Sequence, residues 1–148
     1  MEIIKGISFH EYYLTFIRLS TFLTELGGNS KKKTSKNRII LYDFYLRYPK
    51  LIEKDQSSED YDTTYSYFKW KPNMMLYNSI LADMISREII INVDKNYYVT
   101  EKGEKFVNEM ENDYINEVRK TSQFVKRNIC KLSEKSIKNN IQTNLLNR

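Results

Sequence analysis

Three features of this chain predict an α+β, mostly helical fold. A helix, a hairpin and a second helix follow one another between Lys71 and Met110, an apolar helix precedes them, and a long helical stripe follows. The 148 residues, 41% hydrophobic and 14% aromatic, supply one globular core with extensions and too little apolar material for two. The chain divides on this reading into an N-terminal arm with an apolar helix (residues 1–30), a core (31–110), and a C-terminal helix with a basic tail (111–148).

In the core, Pro72 suits a first helical turn, and Tyr77, Ile80, Leu81, Met84 and Ile85 recur every three or four residues to make one apolar face. The period then changes. Ile89, Ile90, Ile91 and Val93 form a β-branched run, Asp94-Lys95-Asn96 suits a tight turn, and Tyr97-Tyr98-Val99 returns. Thr100 is placed to cap the next helix, Gly103 allows close approach, and Phe106, Val107 and Met110 resume helical spacing. The junction from Tyr98 to Phe106 resembles the end of a winged-helix domain, which implies a winged helix-turn-helix core. Its first helix is expected at Arg38–Tyr48, with Ile40, Leu41, Phe44, Tyr45 and Tyr48 inward and Pro49 as the stop. The second core helix is expected between Glu53 and Trp70, where periodicity is weak and the segment EKDQSSEDYDTT is acidic and loop-like.

The flanks carry more apolar surface than one winged-helix core can bury. Glu2 to Phe9 reads as a short strand or a docking arm. From Glu11, the residues Tyr13, Leu14, Phe16, Ile17, Leu19, Leu23 and Leu26 predict an extra helix of about four turns, stopped by Gly27-Gly28. After Met110 the helix is expected to run on through Tyr114, Val118, Thr121, Val125 and Ile129, a narrow stripe suited to pairing with another helix. Tyr13, Phe16, Ile17 and Leu23, with Tyr114, Val118 and Val125, are therefore the predicted contacts for other subunits.

Composition excludes several function classes. One cysteine, Cys130, and one histidine, His10, make neither an internal disulfide nor a Cys/His zinc site. No glycine-rich phosphate loop is present, and Asp55, Glu59, Asp60 and Asp62 lack the spacing and turn glycine of a calcium loop. No enzyme, metal or cofactor is expected. Nowhere do about eighteen apolar residues run together, so the expected location is the cytoplasm.

The formal charge of +5 is uneven: from Thr121 onward six basic residues face only Glu134, and the preceding residues sum to neutrality. Lys31, Lys32, Lys33, Lys126 and Arg127, with Arg87 and the turn residue Lys95, are the candidates for nucleic-acid contact. They form a poor footprint for sequence reading.

The segment RIILYDFYLRYP (Arg38–Pro49), above all Leu41 to Pro49, followed by a variable loop and the hairpin, resembles the small middle components of bacterial three-component ABC ATPase systems. Among these are the LmuC-like subunits of Lamassu anti-phage defence. The resemblance implies a non-enzymatic accessory subunit that joins an SMC/Rad50-like ATPase to an effector, often a nuclease. Any contact with DNA is expected from the basic clusters, non-specific and inside the complex. The competing expectation is a dimeric, PadR-like winged-helix transcription regulator in which Asn73, Asn78, Ser79, Arg87 and Lys95 face DNA.

Overall fold

A computed structural model of the chain describes residues 9–27, 34–48 and 73–139. Along it run α1 (Phe9–Leu26), α2 (Lys36–Arg47), α3 (Met74–Ser86), β1 (Ile90–Val93), β2 (Asn96–Val99), α4 (Glu101–Asn108), α5 (Asp113–Phe124) and a π-helical stretch, Val125–Ile129. A last helical stretch occupies residues 134–139. The mostly helical α+β expectation holds, with a single two-stranded antiparallel sheet among the described residues.

The first helix departs most from its expected place. Every residue from Thr15 to Leu23 is buried, which requires neighbours on all sides of the helix. These are α5, α2, α3, α4 and β2. α1 is thus the central element of the core and not an extra helix laid outside it. Gly27 ends it in the left-handed region (φ +79), with its N–H on the Leu23 carbonyl at 3.1 Å.

α2 starts two residues ahead of its expected position because the Ser35 hydroxyl accepts from the Arg38 N–H. It is buried continuously from Arg38 to Leu46, so the sequence showed one face of a helix that is covered all round. α3 is capped by Asn73, whose Oδ1 accepts from the Leu76 N–H at 3.0 Å. Leu76, Tyr77, Ile80, Leu81 and Met84 point inward, whereas Ile85, expected with them, is 40% exposed. Its C-terminus closes by a Schellman pattern, with the Ile89 N–H on the Met84 carbonyl and the Glu88 N–H on that of Ile85.

The hairpin forms where expected. Asp94 and Lys95 both adopt positive φ (51° and 68°), the pattern of the two-residue turn whose twist matches the strands, and Ile90 pairs with Val99 through to Val93 with Asn96. The chain just before α2 covers the outer edge of β2, because the Tyr97 N–H donates to the Thr34 carbonyl at 3.1 Å. Thr100 caps α4 by accepting from the Gly103 N–H at 3.0 Å. A Cβ on Gly103 would collide with the Ile89 carbonyl and with Val99, the close approach that the sequence suggested.

The single C-terminal helix is corrected to three pieces. α4 ends at Asn108, and Asn112 caps a new helix by accepting from the Ile115 N–H at 2.8 Å. α5 lies along α1, and the chain then widens into the π-helical stretch. The expected second core helix, the acidic loop, Pro72, residues 2–8 of the N-terminal arm and the lysine cluster at residues 31–33 fall outside the described residues.

Candidate functional site

A charged knot lies at the centre of the core. Arg18 on α1 donates to both carboxylate oxygens of Asp43 on α2, from Nε at 2.9 Å and from Nη2 at 3.2 Å. Nη2 also donates to the Thr15 hydroxyl at 2.9 Å, and Tyr77 on α3 donates its hydroxyl to Asp43 at 2.6 Å. Burial alone favours the uncharged Arg18 side chain, but attraction to Asp43, with its hydrogen bonds, more than offsets this and holds the pKa above the usual arginine range. Burial first, and Asp43 second, push the Tyr77 phenol up. Three helices are thereby joined at one carboxylate.

Beside the knot, a cleft of about 420 Å³ opens between α1, the end of α2 and the start of α5. Leu14, Leu46, Tyr48 and Val118 give it an apolar lining, and Arg47 and Glu117 give it charge. Tyr114 stands there too, its hydroxyl accepting from Arg18 at 3.4 Å.

An exposed aromatic patch lies at the N-terminal end of α1, apart from exposed apolar side chains on α3 and the hairpin. Phe9 and Tyr13, 60% and 52% exposed, stack with their ring centroids 6.3 Å apart. The Tyr12 hydroxyl donates to Asp83 at 3.0 Å, and the Arg87 guanidinium lies 5.7 Å from the Phe16 ring, so the first half of α1 packs on the C-terminal part of α3. Phe9 stands one turn before Tyr12, and Met75, 65% exposed, lies near the start of α3. The Tyr12 phenol is pushed up to about 12 by burial and by Asp83.

Of the residues predicted to bind partners, only Tyr13 lies fully at the surface, and Tyr114 is half-buried. Phe16, Ile17, Leu23, Val118 and Val125 are buried inside the chain, where α1 and the C-terminal segment cover one another. Sequence periodicity found the stripes but not that each is the other's partner. Phe9 was overlooked because it was assigned to the arm. Among the predicted cations, Arg87 is exposed but paired with Asp83 at 2.9 Å, and Lys95 is exposed in the hairpin turn. Lys126 donates to the Glu25 carbonyl at 3.2 Å, and Arg127 is free in solvent. Lys31, Lys32 and Lys33 lie outside the described residues. No group of three or more His, Cys, Asp or Glu side chains among the described residues is arranged to hold a metal ion, and no described helix is long and apolar enough to cross a membrane.

A family model for the Middle Component 2 of ABC-three component (ABC-3C) systems matches residues 17–148. No curated protein and no solved structure is significantly similar to the chain.

Proposed function

The chain belongs to the Middle Component 2 family of ABC-three component systems, and from that premise we propose a non-enzymatic accessory subunit that docks an SMC/Rad50-like ATPase component to a separate effector, a nuclease, in anti-phage defence. The observation that carries this reading is the stacked, exposed Phe9–Tyr13 pair at the N-terminal end of α1. Stacked aromatic rings suit the desolvated centre of a protein interface, and leaving them in water costs free energy that a partner recovers. The adjoining cleft receives a side chain of that partner. The polar side chains at the centre of the core support a scaffolding role, since they are consumed in holding helices together.

The order α1, Ser35 bridged to Asn96, α2, α3 and hairpin supports a winged helix in which α1, α2 and α3 are the three core helices and the hairpin is the wing. On this reading α2 is the second core helix and not the first.

The test is co-expression with the ATPase and effector encoded alongside, followed by affinity capture on either of them. The double variant Phe9→Asp/Tyr13→Asp changes only exposed side chains and is expected to leave the melting temperature unchanged while abolishing co-purification. Undiminished capture of the folded variant rejects this docking face.

A further inference from the structure

Away from the docking face, at the C-terminal end of α1, the chain brings basic residues from four separate segments together. The start of α2 is tied to the hairpin tip, since the Thr34 N–H donates to Asn96 Oδ1 at 3.0 Å, and this brings Lys95 beside Lys36. Lys36 in turn donates to Asn78 of α3 at 3.0 Å. On the other side of α2, Arg38 donates to the carbonyls of Cys130 and Leu132 at 2.9 and 2.6 Å, which holds the intervening Lys131 at the same end. Lys126 reaches the Glu25 carbonyl, so the π-helical stretch with Arg127 is also joined to the end of α1. Lys135 and Lys138 follow, both exposed, on the stretch whose Ile137 is buried in the core.

We propose that this end binds the phosphate backbone of duplex DNA without reading its sequence. Six cations (Lys36, Lys95, Arg127, Lys131, Lys135 and Lys138) face the nearby carboxylates of Asp94 and Glu134, while Glu25 is engaged by Arg119 and Gln123. The cations are distributed over four segments and none is buried, which suits the release of counterions from a polyanion and not the charge-depleted centre of a protein interface. Single strands are held by stacking bases on aromatic rings. The large, exposed aromatic residues among those described, Phe9 and Tyr13, stand at the other end of α1. The neutral side chains between the cations, such as Asn78, match backbone contact and carry no strong base-reading pattern. This surface is separate from the docking face, so either can fail without the other.

The test is fluorescence anisotropy of the full chain with a short labelled DNA duplex over a range of salt concentrations. Log affinity is expected to fall against log salt with a slope of about −3 to −4, corresponding to about four neutralised phosphates. Arg127→Glu/Lys131→Glu is expected to weaken binding by about tenfold or more, with the melting temperature unchanged. Lys102→Glu/Lys105→Glu on α4 changes the net charge equally and is expected to leave the affinity within about twofold, because contacts beyond a Debye length are screened. Equal losses in the two variants overturn the proposal. So do tighter binding of single-stranded DNA than of duplex, displacement by polyglutamate as readily as by unlabelled duplex, and no binding by the wild type at low salt.

Discussion

Arg18 and Arg38 are both buried, 6% and 4% exposed, yet one is at the centre of the helical core and the other at its C-terminal margin, and they are held by different chemistry. Arg18 faces the carboxylate of Asp43, and the pair is completed by Thr15 and Tyr77. Arg38 has neutral partners: its Nε donates to the Tyr42 hydroxyl at 2.7 Å, its Nη2 to the Cys130 and Leu132 carbonyls, and its guanidinium lies 5.4 Å from the centre of the Tyr42 ring. Carbonyls that end a helix carry the negative end of its dipole, so they substitute for a carboxylate. The difference separates two kinds of buried charge. The Arg18 pair joins three helices to one another, whereas Arg38 joins the C-terminal segment to the rest.

The largest effect is expected on removing the charge that Arg18 requires. Asp43→Ala leaves a buried guanidinium without its counter-charge and Tyr77 without an acceptor, and its expected cost is about 3–5 kcal/mol of global stability by urea denaturation. With total stabilities of about 5–15 kcal/mol, that is enough to leave a large unfolded fraction near body temperature. A cost below about 1 kcal/mol places the knot outside the set of interactions that specify the core.

A smaller and more local effect is expected at the margin. Arg38→Met roughly keeps the length of the side chain but removes the donor that Arg38 gives to the Cys130 and Leu132 carbonyls, at a cost of about 2 kcal/mol. The loss is expected mainly in the segment that Arg38 latches. Hydrogen exchange at Cys130, Leu132 and Ile137 should accelerate before that at Leu19 or Phe44 does. Uniform acceleration through both regions makes the two arginines equivalent and removes the contrast.

The same contrast explains what the sequence made legible. Short-range rules located the hairpin, its turn, the Thr100 cap and the Gly103 approach, because each depends on residues a few positions apart. The end of α1 at Gly27 was legible for the same reason. The knot was not, since an aspartate inside a helix reads as solvated. Its indication was that Asp43 lies in a run of apolar and aromatic residues too continuous for a helix with one wet face. The break at residues 109–112 did have a signal in Asn112 followed by Asp113, a cap with an acidic first turn, but the regular stripe beyond it suggested continuity. Periodicity identifies a face to be covered and is silent on what covers it, so the mutual burial of α1 and α5 took the form of two subunit interfaces. At the docking face, Tyr13 was legible as part of an apolar helix, whereas Phe9 joins it only because the helix begins two residues before Glu11.

Buried hydroxyls of α1 and α5 offer the smallest test, because they are neither paired with charge nor capped by carbonyls. Those of Ser20 and Thr21 on α1 and Ser122 on α5 have no hydrogen-bond partner. Small side chains let the two helices approach closely, and an unsatisfied hydroxyl counts against that gain. Ser122→Ala removes such a group with almost no change of volume, so it is expected to be neutral or stabilising by up to about 1 kcal/mol, measured as a shift in urea midpoint at constant slope. This sign is opposite to that at Asp43 and at Arg38, where the removed atoms leave a partner stranded. A loss of more than about 1 kcal/mol at Ser122 instead means that its hydroxyl has a partner, such as a bound water, bridging α1 to α5.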